Sequence, residues 1–122
     1  MIIKRLDEIP EIVALDNTVV KESLNPNHSD TGLKLGYSLA HASLRPRTSS
    51  LPHRFKEASE VYFILKGQGM MRIDDEVRPV VQGDTIYIGP MQVQSIENVG
   101  DGLLEFLCIV YPAWQPDAEE LV

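Results

Sequence analysis

The stretch from Leu33 to Pro112 breaks into short apolar runs separated by glycine-containing turns, and no part of it sustains a helical period. Short strands at such close spacing predict an all-β domain, either closed into a barrel or folded as two packed sheets. Val61 to Lys66, rich in β-branched and aromatic residues, is the strongest strand. Gly67-Gln-Gly69 turns it, Met70 to Ile73 returns, and Asp74-Asp-Glu turns again. Val77 to Val81 follows, with Pro79 confining it to an edge or a bulge. Thr85 to Ile88, Val93 to Glu97 and Leu103 to Tyr111 complete the series, and Pro112 stops it. Upstream, Leu33 to Leu44 reads as a strand, Asn25 to Asp30 as a loop, and Glu11 to Glu22 as a turn followed by a strand. Ile2 to Leu6 reads as a further short strand before Pro10. The expected layout is one domain over 1–122: an arm at 1–32, a barrel core at 33–112, and an acidic tail at 113–122 that is mobile at its end.

Charge narrows the partners. The net charge is −7, and such a surface repels phosphate backbones, so nucleic acid is excluded as a partner. No apolar run is long enough to span a bilayer, so no membrane association is expected. The N-terminus lacks the apolar core and cleavage site of a signal peptide. The single Cys108 has no partner for an internal disulfide. These features fit a reducing, cytoplasmic setting.

Strand alternation places Glu60, Tyr62 and Ile64 on one face and Val61, Phe63 and Leu65 on the other. Both faces are largely apolar. One therefore lines the interior, and the other needs cover from a second sheet or a second subunit, which predicts a homodimer. His53 and Phe55 share a face, as do Gln94, Ile96 and Asn98. A histidine, a carboxylate and an amide oxygen converging in an apolar barrel would suit a divalent cation such as zinc, iron, nickel or manganese. Tyr62 is expected in the pocket wall, its hydroxyl placed to orient a ligand. His41 is a candidate general base or substitute imidazole. Each residue also has a structural reading: His53 as a loop cap, Glu60 as a solvated charge, and Gln94 and His41 as satisfied polar residues. Cys108 is expected to behave as a small hydrophobe, and Trp114 to pack over a barrel end or a subunit seam. Arg45 and Arg47 read as loop charges, or as an attraction for an anion at the barrel opening.

These residues resemble the motifs of the small single-domain cupins. The family's first motif runs from a glycine through two histidines and a glutamate to a closing glycine; here His53, Glu60 and Gly67 match it. Arg47 stands in the first glycine's place and Phe55 in the second histidine's. In the second motif Gly83 and Asn98 match, while Gly89, Met91 and Gln94 replace the proline, glycine and histidine. The resemblance implies a double-stranded β-helix, or jelly roll, and a transition metal held by three histidines and a glutamate. Carried over by position, the implied ligands are His53, Glu60 and Gln94, with Phe55 unable to ligate and the metal weakly held or absent.

Three functional readings stay open. One is a metal-dependent isomerase, epimerase or dioxygenase-like enzyme acting on a small polar metabolite, with His41 or Glu60 moving protons. Another is a binding module that holds a metal or a small ligand without turnover. The third is a dimeric interaction protein with a decayed site. Fold alone does not choose among them.

Overall fold

A computed structural model describes residues 1–122. The strands are β1 (Ile12–Val13), β2 (Val19–Leu24), β3 (Ser38–Leu44), β4 (His53–Phe55), β5 (Ser59–Lys66) and β6 (Gln68–Ile73). They continue as β7 (Glu76–Val81), β8 (Thr85–Ile88), β9 (Gln94–Asn98), β10 (Leu104–Tyr111) and β11 (Glu119–Leu121). A six-stranded sheet runs in the order β1-β2-β3-β10-β5-β8, and a five-stranded sheet in the order β11-β4-β9-β6-β7. Every pairing is antiparallel. The fold is the all-β jelly roll anticipated above. Pro79 lies on β7, an edge strand, where a residue without an N–H removes no ladder bond.

The two sheets pack their inner faces together because alternation delivers apolar side chains inward from both. On β5, Tyr62 and Ile64 are buried while Phe63 and Leu65 are exposed. On β10, Leu104 and Phe106 are fully enclosed. With Ile88, Met71 and Ile96 they form one apolar cluster, which fills one end of the barrel. A smaller cluster of Phe55, Ala58 and Val110, with Trp114 against it, occupies the other end. Between that small cluster and the N-terminal strands the barrel is hollow.

Backbone geometry accounts for the glycines that match the motifs and for two residues that replace them. Gly67 has a φ of 94°, and a Cβ there would meet the Leu103 carbonyl oxygen at 2.6 Å, so only glycine fits. Arg47 and Met91, which stand where the motifs have glycine, keep the left-handed backbone with φ values of 63° and 66°. The turns survive although the residues suited to them do not. Asn98 is buried, donates to the Leu44 and Gly102 carbonyls, and accepts from the Gly100 N–H. It ties the loop after β9 to the end of β3.

Three expectations are corrected. No strand forms at Ile2–Leu6; those residues have no strand partner, and Leu6–Glu8 make a single 3₁₀ turn. The strand expected from Leu33 begins only at Ser38, because Gly36 sits under the Tyr111 ring and its carbonyl is taken by the Ala113 N–H. The acidic tail is ordered. Its residues Glu119–Leu121 pair with β4, and the Lys56 and Val122 N–H groups extend the ladder to the Ala118 and Pro52 carbonyls.

Candidate functional site

The hollow end holds a cavity of about 230 Å³. Its walls come from β1, β2, β3, β5 and β10 on one side and from β4 and β11 on the other. Register explains who meets there. His53 is opposite Leu121 and Gln94, and Phe55 is opposite Glu119, so β4 brings His53, Phe55 and Glu119 to one surface. Glu60 and Tyr62 face them from β5, with Phe106 and Cys108 beside them on β10.

Glu60 is a carboxyl held far from its ordinary protonation range. It is only 6% exposed and its surroundings are largely apolar. Burial pushes its pKa from 4.5 up to about 8, and the charges of Glu119 and Asp16 push the same way. Its one hydrogen bond opposes the shift: the Gln94 side-chain N–H donates to Glu60 Oε1 at 3.0 Å. The Tyr62 hydroxyl in turn donates to Gln94 Oε1 at 2.9 Å. Tyr62, Gln94 and Glu60 thus form a buried hydrogen-bonded chain, with the Tyr62 ring packed on Phe106 at 4.5 Å between centroids. The second Glu60 oxygen has no protein partner and lies beside the cavity. At neutral pH the carboxyl holds its proton and is available as a hydrogen-bond donor.

His53 is fixed by its Nδ1–H, which donates to the Leu51 carbonyl at 2.7 Å. Its Nε2 faces Asp16 Oδ2 at 3.5 Å. Asp16 is itself buried, and its Oδ1 accepts from the Thr18 N–H and hydroxyl. Burial raises the Glu119 carboxyl and Asp16 adds to the rise, while His53 and a hydrogen bond from Trp114 pull it down. The Cys108 thiol is driven well up by burial and by the surrounding carboxyls, which keeps it protonated and unreactive.

Glu60, Tyr62 and Gln94 are joined directly, and His53 lines the same cavity. His41 is not brought to it. Alternation on β3 turns Ala40 and Ala42 inward and His41 outward, where its Nε2 meets Glu105 Oε1 at 3.1 Å. Asp16 and Glu119 carry no sequence signature for the site. Asp16 lies in a stretch of turn formers, and Glu119 in a tail whose only hint is the two-residue spacing to Leu121.

The donors do not fit a transition metal. No group of three or more histidine, cysteine, aspartate or glutamate side chains is spaced to hold an ion. Phe55 presents a ring to the cavity in place of an imidazole. Both polar atoms of the Gln94 amide are engaged, its oxygen by Tyr62 and its nitrogen by Glu60.

The Cupin domain family model matches residues 40–110, and the chain belongs to that family. An uncharacterized protein of Methanocaldococcus jannaschii is 36% identical over 116 residues, which is 95% of this chain and 90% of that protein. The oxalate-binding protein of Thermotoga maritima is 32% identical over 71 residues, 58% of this chain and 59% of its own. A Klebsiella pneumoniae protein with a double-stranded β-helix domain superposes with a TM-score of 0.76 at 17% identity, covering 98% of this chain and 96% of that one. That last likeness shows the fold alone.

Glu60 makes stability depend on pH. Below about pH 4.5 both the folded and unfolded states hold its proton. Between 4.5 and about 8 the folded state keeps a proton that the unfolded chain has lost, so stability falls as pH rises and levels off above 8. The full effect is on the order of 5 kcal/mol. Glu60→Gln mimics the protonated form and keeps an acceptor for Gln94. Denaturant unfolding should find the variant about as stable as the wild type at pH 4.5 and more stable by a few kcal/mol at pH 8. Equal stability gaps at the two pH values would contradict this assignment.

Proposed function

We propose that this chain is a small-molecule-binding cupin whose ligand is held by Glu60 and an apolar wall, without a metal bridge. The observation behind this reading is the Tyr62–Gln94–Glu60 chain, which ends on a carboxyl at the cavity wall whose second oxygen has no protein partner. A polar atom of a buried side chain that is left open to a cavity is a natural contact for a ligand. Thirteen of the twenty lining residues are hydrophobic, the usual balance for a small-ligand site. The metal-dependent isomerase, epimerase and dioxygenase-like readings need a ligand set that Phe55 and the committed Gln94 amide do not supply. Small-ligand binding carries over from the oxalate-binding relative, but oxalate itself does not. No lysine or arginine lines this cavity to receive a dianion.

The test uses protein dialysed against a chelator and a library of fragments of on the order of ten non-hydrogen atoms, a size suited to a cavity of this volume. Proton–nitrogen correlation spectra should report binding through the amides of β5 and β10 around Glu60, Tyr62 and Cys108. A Cys108→Leu variant, which fills part of the cavity, should stay folded and bind the same fragments at least tenfold more weakly. Binding that appears only when zinc or manganese is restored would overturn the metal-free reading.

The outer face of the six-stranded sheet supports a homodimer as part of this proposal. Phe63 and Leu65 on β5, Tyr87 on β8 and Tyr111 on β10 are all exposed, more apolar surface than a monomer usually leaves in one place. Sedimentation equilibrium at micromolar concentration should give twice the chain mass, and Phe63→Glu should shift it toward one. A clean monomer for the wild-type chain would rule the dimer out.

A further inference from the structure

We propose that the ligand of this cavity is a small organic cation, an amine carried on an apolar body. This deepens the small-ligand reading above and rests on it. Asp16, Glu22, Glu60 and Glu119 all line the cavity, against a single basic residue, His53. Their carboxyl groups differ in how far the protein satisfies them. Glu22 is engaged by His28, Ser29 and Asn25. Asp16 spends one oxygen on Thr18 and turns the other toward His53 at a distance of 3.5 Å. Glu60, 94% buried by its 6% exposure, keeps one oxygen free of any protein partner at the cavity wall. Glu119 reaches the same space from β11. Glu60 keeps its proton, so the negative field in this small volume comes from Asp16 and Glu119, with one imidazole to balance them.

Burying like charges together is costly, and a ligand that relieves the cost is favoured over one that adds to it. An anion would be desolvated beside carboxyl groups with no cationic side chain to meet it. A neutral ligand would leave the field as it is. An ammonium group supplies both the opposite charge and N–H donors for the Asp16 and Glu119 carboxyl oxygens. The remainder of the wall suits an apolar body. Phe55, Tyr62, Phe106 and Trp114 line it, and aromatic faces attract organic cations. A bare metal ion fits less well, because no three donors are spaced for it and most of the wall is apolar.

Calorimetric titration of the whole chain at pH 7 with benzylamine, benzyl alcohol, benzoate and zinc chloride separates the cases. Benzylamine is expected to bind at least tenfold more tightly than benzyl alcohol, and benzoate to give no measurable binding. An Asp16→Asn/Glu119→Gln double variant keeps the hydrogen-bond acceptors and removes the charges. Within that variant, benzylamine should bind no more tightly than benzyl alcohol. Should that variant fail to fold, the wild-type series decides alone. Equal binding of benzylamine and benzyl alcohol, or any preference for benzoate, would overturn the cation and leave the small-ligand reading standing. No binding by any of the three organic probes would overturn both. One-to-one zinc binding that displaces benzylamine would overturn the cation in favour of a metal.

Discussion

Glu60 cannot leave the barrel without unpicking β5 from β10. The alternation that buries Tyr62 and Ile64 also buries Glu60, and β5 is clamped by β10 on one side and β8 on the other. The carboxyl must therefore be accommodated where it is. The fold does this by letting it keep its proton, by giving one oxygen a donor from Gln94, and by holding Gln94 with Tyr62. That chain crosses from one sheet to the other and is the only polar link of its kind between β5 and β9. The apolar cluster supplies the bulk of the packing. The polar chain fixes what the hollow end presents.

The family's scaffold is retained here more faithfully than its ligand set. Arg47 and Met91 hold left-handed backbone that glycine would adopt more easily, and Asn98 still ties its loop to β3. Phe55 replaces a donor with a ring, and Gln94 exchanges an imidazole for an amide that bonds inward. The position that remains reactive toward a guest is a carboxyl with one oxygen open. Asp16 and Glu119 then set its electrostatic surroundings, raising it and the neighbouring Cys108 together.

Most of the barrel was legible in the sequence because it rests on local signals: β-branched runs, glycine turns, and the proline at an edge. Alternation divided β5 into two faces, and the motif match at Glu60 marked the inward one. What escaped the sequence depends on long-range pairing. The strand at Glu119–Leu121 has acidic residues and little β propensity, and it exists because β4 offers it an open edge. Asp16 becomes part of the site only when the N-terminal strands fold across the cavity, where its carbonyl accepts from the Leu51 N–H. His41 is a candidate base by residue type alone, and the pairing of β3 with β10 gives the inward face to Ala40 and Ala42. Spacing can nominate a polar residue, but the register of its neighbours decides which side of the wall it occupies.

The central claim is that Glu60 is a neutral acid in the wall of the cavity at physiological pH. The direct measurement is a carbon-13 titration of the glutamate side-chain carboxyls, with the Glu60 resonance identified by its absence in Glu60→Gln. The account predicts a midpoint near 8 for that resonance. A midpoint near the ordinary 4.5 would mean that the carboxyl is ionised and solvated, and that the site described here is not the one the protein uses.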